Sequence, residues 1–278
     1  MAARSSRSRR SAPARSALPE GTALVETLLG AWRAPARIDV DGVALLRSRG
    51  VTRRAHSAVP LDPPSDPEDL DALIDRVHAL TAADGRALWR IFELPGLPPA
   101  HTALDQALDA RGLVTEAPCE ILGRDLASPP RGDAAVRFEV GLPPADWSEA
   151  HWRLAPRAGE EARTTLHDIM AGTPAIYATL PRPGTDGARP EDVVAVGRAA
   201  LVPVRKTLVT VVDALAVDPD HRRQGHGRTV LDALLGAAHQ QDARAALLEV
   251  ESDNAAARAL YRRAGFTRLG GCHYRVGA

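Results

Sequence analysis

The chain has 278 residues, 45% of them apolar, which suits one large domain or two modest ones with packed cores. Acidic and basic residues balance at 35 each, so no net field points to nucleic acid or an anionic membrane as a partner. Cys119 and Cys272 lie far apart and give neither a metal-ligand spacing nor a disulfide framework, and no apolar run nears the roughly 20 residues that cross a bilayer. A cytoplasmic protein without a metal is the expectation.

Residues 1–19 are rich in Arg, Ser and Ala and lack the apolar stretch of a secretory signal, so a disordered tail is expected. Residues 23–32 (ALVETLLGAW) place Leu24, Leu28 and Leu29 at helical spacing. Val40–Ser48 and Val51–Val59 read as two strands joined as a hairpin at Gly50. Asp66–Ala83 is an amphipathic helix: Leu70, Leu73, Ile74, Val77 and Leu80 share one face, and Pro67 and Glu68 suit its first turn. Ala87–Leu94 reads as a strand, Pro99–Ala110 as a helix with Gly112 past its end, and Glu116–Leu126 as a strand.

Residues 127–134 (ASPPRGDA) concentrate Pro, Gly and Ser and read as a linker. The expected division is therefore a tail at 1–19, a first lobe at 20–126, the linker, and a second lobe at 135–278. The second lobe opens with a strand at Ala135–Gly141. A helical stretch follows over Asp146–Ala171, broken in two near Pro156 and Gly159. Strands are expected at Ala175–Leu180, Val193–Val202 and Thr207–Val217, then a helix from Gly225 with Val230, Leu231, Leu234, Leu235 and Ala238 in one stripe. A buried strand at Ala245–Val250, a helix at Asn254–Ala264 stopped by Gly265, and one or two strands within Phe266–Val276 complete the order. The fold class is α+β, with a mixed central sheet flanked by helices.

Between Thr207 and His239 an apolar strand runs into the turn Asp218-Pro219-Asp220, a basic glycine loop, and a helix. The first N–H groups of a helix have no partner within it, and they point outward together with the positive end of its dipole. Gly225 and Gly227 remove side chains that would block close approach, while Arg222, Arg223 and Arg228 add positive charge. That is an anion site suited to a nucleotide-like ligand; the bland alternative is a tight turn with solvated arginines. Neither a Walker A loop nor a three-glycine Rossmann fingerprint is present, since Val230 stands where the third glycine belongs.

The segment from Leu215-Ala216-Val217-Asp218-Pro219 through Arg228 resembles the acetyl-CoA motif of the GCN5-related N-acetyltransferases (GNAT). Arg222, Gly225 and Gly227 fill its Gln/Arg-x-x-Gly-x-Gly/Ala signature. Leu248-Glu249-Val250, residues 254–261 (NAAARALY) and Gly265-Phe266 are similar to that family too, most of all to its ribosomal-protein acetylating branch. The resemblance implies the GNAT fold, acetyl-CoA as co-substrate, and transfer of an acetyl group to a primary amine of a small molecule or a peptide N-terminus. By the same resemblance, the backbone of Leu215, Ala216 and Val217 pairs with the pantetheine arm. Arg222, Arg223, Gln224, Gly225, His226, Gly227 and Arg228 hold the pyrophosphate, and Asn254 contacts the co-substrate near its sulfur. Tyr261 protonates the leaving thiolate and Glu249 is the general base. Glu251, on the same strand face, and Asp213 are alternatives to Glu249, and the alternative for Tyr261 is an ordinary half-buried aromatic. His226 fills a side-chain slot rather than doing chemistry.

Residues 41–47 (DGVALLR) and 51–57 (VTRRAHS) resemble the front half of two-lobed actinobacterial members of the family, in which a degenerate lobe precedes an active one. The first lobe carries no Arg-x-x-Gly-x-Gly and should bind no nucleotide-like ligand. Arg53, Arg54 and His56 either face an acceptor cleft between the lobes or form a solvated strand face, and His273 and Tyr274 either line that cleft or pack. A non-catalytic acyl-CoA sensor and an interaction scaffold are the competing functional readings.

Overall fold

The computed structural model describes residues 16–84, 87–130, 132–185, 187 and 189–277. Most of the tail expected at 1–19 lies outside them. The strands are β1 Ala36–Val40, β2 Val43–Arg47, β3 Ala58–Pro60, β4 Leu88–Glu93, β5 Val114–Asp125, β6 Arg137–Gly141, β7 Ala175–Pro181, β8 Val193–Val204, β9 Thr207–Val217, β10 Ala243–Glu251 and β11 Thr267–Val276. The helices are α1 Gly21–Ala31, α2 Pro67–Thr81, α3 Pro99–Ala110, α4 Ala145–Leu154, α5 Glu160–Ala171, α6 His226–Gln240 and α7 Ala255–Arg263.

The described strands form one sheet in the order β1-β2-β3-β4-β11-β5-β10-β9-β8-β7-β6. Its centre is interlocked. The last strand of the first half, β5, lies antiparallel to β10, while the last strand of the chain, β11, lies between β5 and β4. Each half thus completes the other's sheet edge, and side chains from β4 and the segment before β3 come within reach of β10. Only β3–β4 and β9–β10 pair in parallel, so the sheet is mixed as expected.

Helices α1, α4 and α5 cover one face over Leu28, Trp32, Ile121, Trp147, Ile169 and Leu247. On the other face, α6 buries its whole predicted stripe of Val230, Leu231, Leu234, Leu235 and Ala238. A third cluster packs α2 and α3 around Trp89, Leu73, Ile74 and Leu104. Each fully buried Leu, Ile or Val side chain contributes about 1.5–3 kcal/mol relative to exposure, so α6 is anchored by side chains of its own stripe and not by loop contacts. The predicted break of the 146–171 stretch falls between α4 and α5, at residues 155–159.

One expectation needs correction. The hairpin turns at Asp41-Gly42, not at Gly50, and Val51–Val59 is not a strand. Residues 53–55 form a single 3-10 turn because Thr52 caps it, its Oγ1 accepting from Ala55 N at 3.3 Å. His56 Nδ1 accepts from the N–H groups of Ser48 and Gly50 at 3.0 and 3.2 Å. Polar side chains thereby take backbone donors that a ladder would have used. Only Ala58–Pro60 is left to pair with β2.

Candidate active site

The site is built on an irregularity in β9. Arg198 of β8 pairs with Asp213 and Val196 pairs with Ala216, so Gly197 alone stands opposite Ala214 and Leu215. Ala214 adopts φ 50°, as an extra residue in a bulge does. Gly197 has no room for a side chain: a Cβ there would lie 2.9 Å from Leu234 and 3.1 Å from Leu215. The bulge bends β9, and its parallel pairing with β10 stops at Val212–Leu248. β10 instead continues against β5 to Glu251–Cys119. From Asp213 onward β9 therefore borders an opening. The Asp218 N–H donates to Val194 O of β8 at 2.9 Å. By the alternation of an extended chain, the N–H and C=O of Val217 then face the opening.

The loop after β9 leads straight to α6. Asp218 caps the turn at Pro219–His221. Arg223 and Gly225 adopt φ 65° and 89°, and Gly225 is the left-handed N-cap of α6. Its carbonyl takes the N–H groups of Arg228 and Thr229. The N–H groups of Gln224, Gly225, His226 and Gly227 have no acceptor among the described residues. A Cβ on Gly225 would project into open space, whereas one on Gly227 would touch Val217 and Leu260 at 3.5 and 3.6 Å. Gly225 is thus required by its left-handed backbone and leaves open space in front of it, while Gly227 lies in ordinary contact distance of Val217 and Leu260. Arg222 and Arg223 are exposed, with Arg222 Nε 3.4 Å from Val217 O. Arg228 is differently placed: its side chain is held by Asp232 and by the carbonyl of Arg263, and its N–H by Gly225 O, so neither is free for a ligand. His226 is half-buried, with its ring 6.4 Å from that of His221.

Glu249 faces the α1 side of the sheet and is buried, with its side chain 8% exposed. Arg90 of β4, itself 1% exposed, is ion-paired to its Oε1, and Arg54 lies 3.8 Å from its Oε2. Burial alone would raise the carboxyl's pKa, but the Arg90 and Arg54 charges outweigh it and hold Glu249 below the usual carboxylate range. Asp213 pairs with Arg198 at 2.7 Å, both buried, and Arg198 is fixed further by the carbonyls of Ala31, Met170 and Thr173. Asp213 Oδ1 has no partner, and burial raises this carboxyl's pKa. Glu251 is exposed at the end of β10.

Asn254 is the N-cap of α7, its Oδ1 accepting from Ala257 N at 3.0 Å. That leaves its amide N–H groups available. Tyr261 sits edge-on to Phe266, ring centroids 6.1 Å apart. Burial, with the Asp213 charge nearby, pushes its hydroxyl up to about 12, so it stays protonated through neutral pH. Of the two residues near the end of the chain, Tyr274 sits under the Arg53 guanidinium, which lies 5.8 Å from its ring centroid. His273 points elsewhere, to Glu93 and Asp105.

Sequence reasoning missed Arg90, Arg198 and the thiol pair. A single arginine between apolar neighbours in a strand (LWRIF, VGRAA) is the signal that could have flagged the two cations as buried partners of carboxylates. Cys119 and Cys272 are cross-strand partners on β5 and β11, both free, with Cys272 Sγ 3.7 Å from Glu249 Oε1. Nothing in their spacing revealed this. Among the described residues no group of His, Cys, Asp or Glu side chains could hold a metal, and no helix is long and apolar enough to cross a membrane.

Residues 147–266 match the sequence model of the Acetyltransferase (GNAT) family. A ribosomal-protein bS18-alanine N-acetyltransferase of Escherichia coli is 46% identical over 52 residues, 19% of this chain and 35% of that protein. A mycothiol acetyltransferase of Kocuria rhizophila is 29% identical over 205 residues, 72% of this chain and 65% of that protein. The chain thus spans about a third of the length of the first relative and just under two thirds of the second. Among solved structures, a GCN5-related N-acetyltransferase from Kribbella flavida superposes with a TM-score of 0.65 at 21% identity, over 92% of this chain and 94% of that one. A tandem GNAT protein from the clavulanic acid biosynthesis pathway gives 0.61 at 16% identity, over 80% and 74%. These likenesses establish the fold.

Proposed function

We propose that the chain, whose residues 147–266 match the model of the GNAT acetyltransferase family, transfers an acetyl group from acetyl-CoA to a primary amine. The observation that carries the proposal is the opening beside β9, which runs into a helix start with unpartnered N–H groups. An extended arm can add to the free edge of Leu215, Ala216 and Val217 as a further strand would, and a diphosphate can take the bare amides from Gln224 to Gly227 with Arg222 and Arg223 beside them. The open space in front of Gly225 fits such a group. The co-substrate supplies an activated thioester.

The remaining chemistry falls to side chains. The Val217 N–H is aimed to stabilise the oxygen that gains charge when the amine attacks the carbonyl carbon, worth about 2.7–4 kcal/mol where such donors have been removed. Glu249, held ionised by Arg90 and Arg54, takes the amine's proton directly or through water. Tyr261, held protonated, gives its proton to the sulfur as the carbon–sulfur bond breaks. Asn254 faces the same region from the start of α7. Asp213 is the weaker candidate for the base, because Arg198 and the surrounding strands enclose it. The 20–126 segment contributes Arg90 and Arg54 to the site and carries no glycine loop of its own, which suits a supporting lobe.

The firm clamp of Arg90 on Glu249 also favours a second reading, a protein that binds acyl-CoA without turnover. Thiol release from acetyl-CoA with a panel of primary amines separates the two. Steady release that falls about 10²–10⁴-fold in Glu249→Gln supports transfer with Glu249 as base. Binding of acetyl-CoA with no amine-dependent release supports the sensor.

A further inference from the structure

The charges around the opening do not cancel. Asp213 is matched by Arg198 and Glu249 by Arg90. Arg54 stands beside the matched Glu249 pair as a surplus cation, 31% exposed. It is held in place: its guanidinium lies 4.1 Å over the Trp32 ring, Trp32 Nε1 donates to Thr52 Oγ1 at 3.1 Å, and Thr52 caps the turn that carries Arg54. Arg157, an exposed residue in the connection between α4 and α5, lies close to the same segment. It donates to Val51 O at 3.4 Å and makes no ion pair among the described residues. Burial and the nearby Arg54 charge both weaken its hold on its proton. Two like charges near one another at the edge of the site favour an anion between them, by an amount that solvent screening reduces.

We propose that Arg54 and Arg157 bind an oxyanion of the acceptor, so that the amine acetylated belongs to a small amino acid or an aminoalkyl phosphate and not to a neutral or polycationic amine. The proposal rests on the acetyl-transfer reading above and names the substrate class for it. The spacing limits the acceptor further. An amine within hydrogen-bond reach of Glu249, about 3 Å, and an oxyanion at similar reach of Arg54 lie no more than about 10 Å apart, because Arg54 and Glu249 are themselves 3.8 Å apart. A short acceptor, with one to three carbon atoms between amine and anion, meets both groups when it lies on one side of them. A planar guanidinium accepts either carboxylate or phosphate in two-pronged fashion, which makes Arg54 a specificity-determining residue.

The test uses the full chain, acetyl-CoA and matched amines: glycine against glycinamide, β-alanine against its amide, 2-aminoethyl phosphate against ethanolamine, and spermidine as the polycation. The amide amines are the less basic and more fully deprotonated, so intrinsic reactivity works against the expected result. We expect the anionic member of at least one pair to be preferred tenfold or more in kcat/KM, with the carboxylate and phosphate pairs showing which oxyanion is taken. Arg54→Gln should remove that preference by raising KM for the anionic amine and not for its neutral partner, beside any change in kcat common to both from the loss of a cation next to Glu249; Arg54→Lys should restore part of it, and the acetyl-CoA dissociation constant should stay within twofold in both. Calorimetric binding of the same compounds, which needs no turnover, should show the same order. Equal or better use of the neutral amines or spermidine overturns the inference and leaves acetyl transfer standing. So does a failure of every anionic member to bind or react while acetyl-CoA binds. Loss of acetyl-CoA binding itself would instead sink the transfer reading.

Discussion

Removing the Arg90 side chain should make stability and activity depend on pH in a way the wild-type chain does not. Arg90 and Glu249 side chains are 1% and 8% exposed, so Arg90→Met leaves a carboxylate in a site that water barely reaches. Breaking a buried pair from one side costs about 3–5 kcal/mol, and the lower end applies because Arg54 remains 3.8 Å away. The sign follows from linkage. In the wild type the folded-state pKa of Glu249 is depressed, so the pair contributes stability above the unfolded value of about 4.3 and loses it as pH falls through the folded value. In the variant, burial prevails and the folded pKa lies above about 4.3, so a cost appears as pH rises past that value and levels off above the new pKa. Urea unfolding of both proteins at pH 4.5, 6 and 8 should therefore show a gap that widens with pH. Arg90→Met combined with Glu249→Leu should recover much of the loss at pH 8. A gap of equal size at all three pH values would refute the reasoning, since it would mean that Arg90 acts through packing on Phe92 and not through the Glu249 charge.

Three further outcomes are expected. Gly225→Glu combines a strained left-handed residue, φ 89°, with a negative charge in the open space before α6, and should weaken acetyl-CoA binding at least 100-fold by calorimetry while the far-ultraviolet dichroism stays unchanged. Tyr261→Phe should lower kcat about 10²-fold or more with little change in acetyl-CoA affinity, and the wild-type rate should show no fall with rising pH up to about 10, because the hydroxyl is pushed up to about 12. Asp213→Ala leaves Arg198 buried without its carboxylate and should cost about 3–5 kcal/mol in urea unfolding, a stability effect that does not require Asp213 to act on substrate.

Much of the β9–α6 region was legible because its signals are local. The loop from Arg222 to Gly227 announces itself by glycines at fixed spacing after an apolar strand, and the α6 stripe by helical period, so both lie where expected. The helix Pro99–Ala110 was readable for the same reason, with Pro at its start and Gly112 beyond its end. The surroundings of Glu249 were not legible, because they are made by long-range pairing. Whether β5 would lie against β10, and β11 against β4, depends on how two halves of one sheet interlock, and no short stretch encodes that. The partnership of Glu249 with Arg90 and the meeting of Cys119 with Cys272 follow from this exchange alone. Residues 51–57 misled for a different reason: Val51 and Thr52 favour a strand, but Thr52 and His56 bond to the backbone and fold it into a turn.

Hydrogen–deuterium exchange of the free protein and of the protein saturated with coenzyme A tests the anion site most directly. Slowed exchange confined to the amides of 214–217 and 223–228 is expected, with the largest change at the start of α6, where Gln224, Gly225, His226 and Gly227 lack acceptors in the free chain. Unchanged exchange at those amides in a protein that demonstrably binds coenzyme A would place the ligand elsewhere and contradict the assignment.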